Sequence, residues 1–234
     1  MSPDLTPQVA GEISPRPVET LTARGLRTRD ALLRAARVVF TQSGFAESRI
    51  ADISRAAGVA HGTFYTYFSS KEEVLCAVMS ELQHEMASER PADTEPLAPA
   101  EGIEAAHRHY LRKYRTNAAL LATLEQVATL SEALRTMRRE HRRVFVDRTA
   151  RAIQRWQDAG LADRGLDPTY AASALGNMVD RFAYVWFILG EDFDEDTAVE
   201  TLTRLWVQAL GLDHEHPPSE DRHRRLPGRT ISTV

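Results

Sequence analysis

Cysteine occurs once, at Cys76, which excludes an internal disulfide and any zinc site built from thiolates alone. Long apolar runs are also missing. The most hydrophobic stretch, FAYVWFILG from Phe182 to Gly190, falls far short of the roughly 20 residues a helix needs to cross a bilayer. Nothing near Met1 joins a basic segment to an apolar run, so no export signal and no membrane role are expected, and the expected location is cytoplasmic. Sustained period-two alternation bounded by hairpin turns is absent, so strands are not expected. The chain has no His-Glu-x-x-His motif, and His107 and His109, two residues apart, do not share a helix face. His214 and His216 fall in a polar, proline-broken end. An enzyme is therefore disfavoured, and no catalytic residue, metal ligand or cofactor is expected.

What the chain does have is helix. Its 234 residues, 43% of them hydrophobic, are enough to bury a substantial core in one large domain or two small ones. The net charge of −4 hides an asymmetry: between Thr22 and Leu75 eight basic residues outnumber five acidic ones, so the remainder is the acidic part. A basic first third on an acidic body suits contact with a polyanion. Residues 1–23, with Pro3, Pro7, Pro15 and Pro17, and residues 213–234 are expected to be a disordered arm and tail. Between them the spacing predicts a helix over about 28–43 ended by Gly44, short helices over 50–57 and 61–68 divided by Gly58, and a fourth capped by Ser69 and Ser70. RPADTEPLAP, from Arg90 to Pro99, reads as a linker. Further helices are expected over about 99–117, 119–130, 132–159, 168–189 (opened by Asp167 and Pro168) and 194–210.

Two short helices joined by a glycine turn describe a helix-turn-helix, whose second helix enters the major groove of DNA. Ile53, Ala57, Val59, Phe64 and Phe68 are apolar where the two helices must pack on each other. His61, Gly62, Thr63, Tyr65, Thr66 and Tyr67 are left pointing away from that small core. Their hydroxyls and imidazole suit base edges and phosphate oxygens.

The stretch RIADISRAAGVAHGTFYTYFSSKEEVL (49–75), preceded by ARVVFTQSGF (36–45), resembles the N-terminal domain of TetR family transcriptional regulators over about residues 27–75. The agreement includes Phe40, Gly44, Phe45, Asp52, Ile53, Ala57, Gly58, Val59, Gly62, Thr63, Tyr65, Phe68, Lys71, Glu72 and Leu75. It implies an all-α fold: a three-helix helix-turn-helix domain at 24–75 and a helical ligand-binding and dimerisation domain at 76–212. His61 and Thr63 fall where the family contacts bases or nearby phosphates; Tyr65, Tyr67 and Lys71 fall where it grips the backbone. The sequence departs from the pattern at three places. Arg49 replaces a capping serine or threonine, so Ser48 is expected to cap one residue earlier and Arg49 to reach a phosphate or base. Ala60 replaces the serine cap of the recognition helix, typically worth about 1 kcal/mol, and Ser54 replaces a small alanine.

One copy of so short a helix binds weakly, so a homodimer reading a palindromic double-stranded operator is expected. Its surface is assigned to helices 168–189 and 194–210, the first apolar nearly all round and the second carrying a stripe of Val199, Leu202, Leu205, Trp206 and Leu210. The resemblance also implies a pocket for a small-molecule effector, for which the candidate residues are Tyr110, Tyr114, Trp156, Asn177, Met178, Arg181 and Tyr184. A buried Arg181 needs a partner: Asp180, a residue across the dimer, or an acidic ligand. A mostly hydrophobic effector fits the apolar content. An interaction protein that has lost DNA binding is the rival reading, opposed by the intact polar face.

Overall fold

The computed structural model describes residues 17–87, 97–128 and 132–212; the expected tail, most of the expected arm and residues 90–96 of the 90–99 linker lie outside the described residues. Among the described residues the chain is entirely helical: α1 (Ala23–Glu47), α2 (Ile50–Ala56), α3 (His61–Phe64), α4 (Lys71–Ala87), α5 (Pro99–Thr116), α6 (Ala118–Ala128), α7 (Glu132–Asp158), α8 (Pro168–Phe187) and α9 (Glu195–Leu210), preceded by a single 3-10 turn at Val18–Thr20. None of these helices is long and apolar enough to cross a membrane.

The ends of the helices follow their local chemistry. Thr22 accepts from the Gly25 N–H and starts α1 a turn earlier than the apolar stripe alone suggested. Gly44, at φ 69°, breaks the helical path near its end. Ser70 accepts from the Glu73 N–H while the Glu73 carboxylate accepts from Ser69 N–H, which together cap α4. Asp167 caps α8 ahead of Pro168, and Asp194 caps α9. Two expectations are corrected. Ser48 does not cap α2: it is buried and donates its hydroxyl to the Phe45 carbonyl, leaving Arg49 at the cap position without a side-chain bond. The recognition helix is also shorter than 61–68, because the backbone leaves the α-helical pattern after Phe64 and continues through turns to Phe68.

α1 packs on α2, α4 and α6, so it belongs to both ends of the molecule. Leu32, Leu33, Ala36 and Phe40 of α1 meet Ile53, Phe64, Phe68, Val74 and Leu75 in one fully buried core. α4 runs without interruption through residues 75 and 76, so the expected division between the two domains falls inside a continuous helix. In the body α8 lies against α7, and α5 against α9. At Gly176 of α8 a β-carbon would stand 2.5 Å from the Phe145 ring of α7. Buried Gln157 donates to the carbonyls of Asp163 and Leu166, and the Asp163 N–H donates to Leu210 O, which ties the α7–α8 turn to the end of α9.

The stripe on α9 serves the chain's own core. Val199, Leu202, Trp206 and Leu210 are buried within the chain, and Leu205 alone of the five is exposed. α8 is likewise two-sided, with Ala172, Val179 and Ala183 buried and Asn177, Asp180 and Arg181 exposed.

Candidate nucleic-acid interface

Everything on the reading face depends on Phe64. Its ring is fully buried, 5.7 Å from the Phe68 ring and edge-on to Tyr65 at 5.5 Å. A helix of four residues has too few internal bonds to hold itself, so packing of this side chain fixes α3 in place. Gly58, at φ 69°, makes the turn before it, a conformation that a β-carbon disfavours. With Phe64 turned inward, His61 and Gly62 are exposed and Thr63, Tyr65, Thr66 and Tyr67 half-buried. The Tyr65 ring bridges Phe64 and His61, standing edge-on to both. Its amphipathic ring thus has an apolar base and a hydroxyl edge.

The structure separates the two basic residues assigned to this face. Arg49 is exposed and makes no ion pair among the described residues, whereas Arg55 pairs with Asp52 at 2.9 Å. Lys71 does not offer its ammonium outward. The group donates to the carbonyls of Phe45 (2.6 Å) and Ser48 (2.9 Å) and sits 4.3 Å from the centre of the Phe45 ring. It closes the end of α1 onto the start of α4, so it supports the reading face from behind. Lys71→Met keeps the stem and removes these charge-assisted bonds. It is expected to lower stability by about 1.5–3 kcal/mol in chemical denaturation, with no change in the salt dependence of DNA binding; a shallower salt slope would place the ammonium on a phosphate.

The residues assigned to the effector separate into two places. Asn177, Arg181 and Tyr184 share a cleft of about 220 Å³ with Glu125, Arg138 and Asp180. The Tyr110 hydroxyl donates to Asp180 at 2.8 Å, and the Tyr110 ring lies 5.8 Å from that of Tyr114, which stacks on Phe187. Burial, followed by the Asp180 charge, pushes the Tyr110 phenol well above its ordinary pKa; burial does the same at Tyr114. Both remain neutral donors. Arg181 is not buried: it is exposed, its guanidinium lying 4.4 Å from the centre of the Tyr184 ring, and Asp180 engages Tyr110 in its place. Trp156 stands 18 residues along α7 from Arg138, about 27 Å at 1.5 Å per residue, and Met178 packs on the core. Neither lines the cleft. The Glu125–Arg138 pair, 2.6 Å apart across α6 and α7, left no signal in the sequence because its members join only when the helices pack.

The histidines do not assemble into a metal site among the described residues. Glu81 and His84 on α4, and Glu104 and His107 on α5, have the spacing of paired ligands, but Glu104 pairs with Arg108 while His107 bonds Thr203 and packs edge-on to Trp206.

Two family models match separate parts of the chain. Residues 32–78 match the family described as bacterial regulatory proteins, tetR family, and residues 102–211 match the C-terminal domain of transcriptional regulator EthR. The HTH-type transcriptional regulator EthR of Mycobacterium tuberculosis is 26% identical over 216 residues, covering 88% of this chain and 98% of that protein. The fatty acid metabolism regulator protein of Bacillus subtilis is 25% identical, covering 76% and 93%. Among solved structures, SmeT, the repressor of the Stenotrophomonas maltophilia multidrug efflux pump SmeDEF, superposes in its triclosan complex with a TM-score of 0.63 at 25% identity, over 86% of this chain and 99% of that one. GusR of Salmonella enterica shares the fold with a TM-score of 0.68 at 21% identity, over 82% and 98%.

Proposed function

Since the chain belongs to the tetR family of bacterial transcriptional regulators, we propose that it is a repressor which binds a palindromic operator as a homodimer and is released by a small, mostly hydrophobic effector. The observation that carries this reading is the four-residue α3, pinned by Phe64 and presenting His61 and Gly62 outward with Thr63, Tyr65, Thr66 and Tyr67 around them. In this reading residues 24–75 form the DNA-binding domain and 76–212 the effector and dimerisation domain. His61, Gly62 and Thr63 meet base edges; Arg49, Tyr65, Thr66 and Tyr67 meet the backbone; Lys71 acts through the loop it clamps. The dimer joins the outer faces of α8 and α9, where Tyr170 and Leu205 remain exposed. Two reading heads about 34 Å apart then address one side of the duplex. The effector enters at the cleft of Asn177, Arg181 and Tyr184, with Tyr110 and Tyr114 behind it. A dimer covering a promoter excludes polymerase, which favours repression, and its place of work is the cytoplasm.

The test is DNA binding across salt concentrations. Arg49→Ala, which removes one phosphate contact from each of the two reading heads, is expected to reduce the magnitude of the salt slope by about 2 per dimer. His61→Ala is expected to relax preference at one base position by about 1–3 kcal/mol, while Tyr65→Ala weakens all sequences alike. Unchanged binding by all three variants removes α3 from the groove, and sedimentation of a monomer at working concentration removes the dimer.

A further inference from the structure

Arg37, on α1, carries a contact that the reading face does not explain. Its guanidinium meets Glu85 of α4 in a fork, Nη1 donating to Oε1 at 2.7 Å and Nη2 to Oε2 at 3.0 Å. Nη2 also donates to Asn117 Oδ1 at 2.6 Å. Asn117 is buried in the corner between α5 and α6, where its side-chain amide donates to Lys113 O at 2.8 Å and its backbone N–H to the carbonyls of Lys113 and Tyr114. The amide is therefore oriented by α5 and presents its oxygen to Arg37. One planar group is thus bonded from two directions, to the connecting helix and to the body. A planar fork resists rotation where a single ammonium contact would permit it. The Glu85 carboxyl, held below its usual range first by its hydrogen bond to Arg37, remains ionised at neutral pH.

We propose that Arg37 is a positioning residue which fixes the attitude of the DNA-reading domain on the body, and so sets the separation of half-sites that the dimer accepts. The inference rests on the reading of the protein as a dimer on a twofold operator. α1 carries the core of the reading domain, and its angle against α4 and α6 determines where α3 points. One base pair added between half-sites moves them about 3.4 Å apart and turns one by about 35° relative to the other. A stiff joint rejects such a site; a loose one follows it. The same corner terminates α5, which carries Tyr110 and Tyr114, so displacement of that helix reaches α1 directly through Asn117.

The full-length wild-type protein is first used to select a binding site from a random-sequence duplex library, and half-site centres of the selected palindrome are then moved by one and two base pairs in each direction. Wild type is expected to lose roughly tenfold or more in affinity per base pair of displacement. Arg37→Ala is expected to lose only about threefold while keeping the same half-site sequence. Arg37→Lys, with one compact donor group, is expected to resemble Arg37→Ala. Glu85→Gln, which keeps an acceptor, should fall between; it carries the test on the same scale if Arg37→Ala does not fold. Spacing discrimination equal to wild type in a folded Arg37→Ala, or in Glu85→Gln where that variant stands alone, overturns the inference. Recovery of no twofold site by wild type instead overturns the reading beneath it, and the two failures are distinct. A merely structural Arg37 would lower the melting temperature and leave the spacing profile unchanged.

Discussion

Phe64→Ala is expected to destabilise the protein by about 3–5 kcal/mol and to abolish specific DNA binding, the first measured by denaturant titration and the second by binding to a selected operator. The ring is wholly enclosed, packed among Phe68 and Tyr65 and within the same core as Phe40 and Ile53. Alanine leaves a void beneath α3, which has no length of its own to fall back on. The backbone around His61 and Thr63 then samples many orientations, and ordering it on DNA costs affinity at each half-site. α3 packs chiefly on α2, whereas α7 packs on α8 and α5 on α9, so the helical signal of the body is expected to outlast that of the reading domain. A variant with native melting behaviour and undiminished DNA affinity would mean that something other than this ring holds α3.

The second large effect is acid sensitivity centred on His107. Only 4% of this residue is exposed, and burial pushes its pKa from 6.5 down to about 4. The unfolded chain takes up a proton near pH 6.5, whereas the folded protein resists until about pH 4. Stability therefore falls as pH drops through that window, by about 3 kcal/mol in total at 1.36 kcal/mol per unit. Above pH 6.5 the residue contributes no pH dependence. His107→Gln retains a partner for Thr203 and cannot titrate, so between pH 7 and pH 4 it is expected to lose about 3 kcal/mol less than wild type. Parallel stability curves for the two proteins would assign the acid sensitivity elsewhere. His141, lowered first by burial and then by the His84 charge, titrates in the same direction and is common to both proteins, so it cancels in the comparison.

Helix existence was legible in the sequence because apolar periodicity and capping are local. Asp167 with Pro168, and Ser70 with Glu73, mark helix starts within a few residues of one another, and the structure uses them as such. The family was legible for a related reason, since the helix-turn-helix keeps its core and turn residues within one short segment. What the sequence could not supply was direction. The α9 stripe has the same spacing whether it faces a second chain or α5, and the structure turns Val199, Leu202, Trp206 and Leu210 inward. Lys71 has the same composition whether its ammonium meets a phosphate or the carbonyls of Phe45 and Ser48. Arg181 looked buried because its neighbours in sequence are apolar, yet the helix turns it outward. Arg37 drew no notice, since Glu85 and Asn117 lie 48 and 80 residues away and meet it only after folding.

α1 also has a bearing on protein engineering. One face of this helix builds the DNA-reading core while Arg37 binds the connecting helix and the α5–α6 corner. A chimera that transplants residues 24–75 onto a foreign effector body severs that second set of bonds and leaves a bare guanidinium at the seam. Grafts intended to exchange operator specificity between such regulators must therefore carry the acceptors at positions 85 and 117 along with the head.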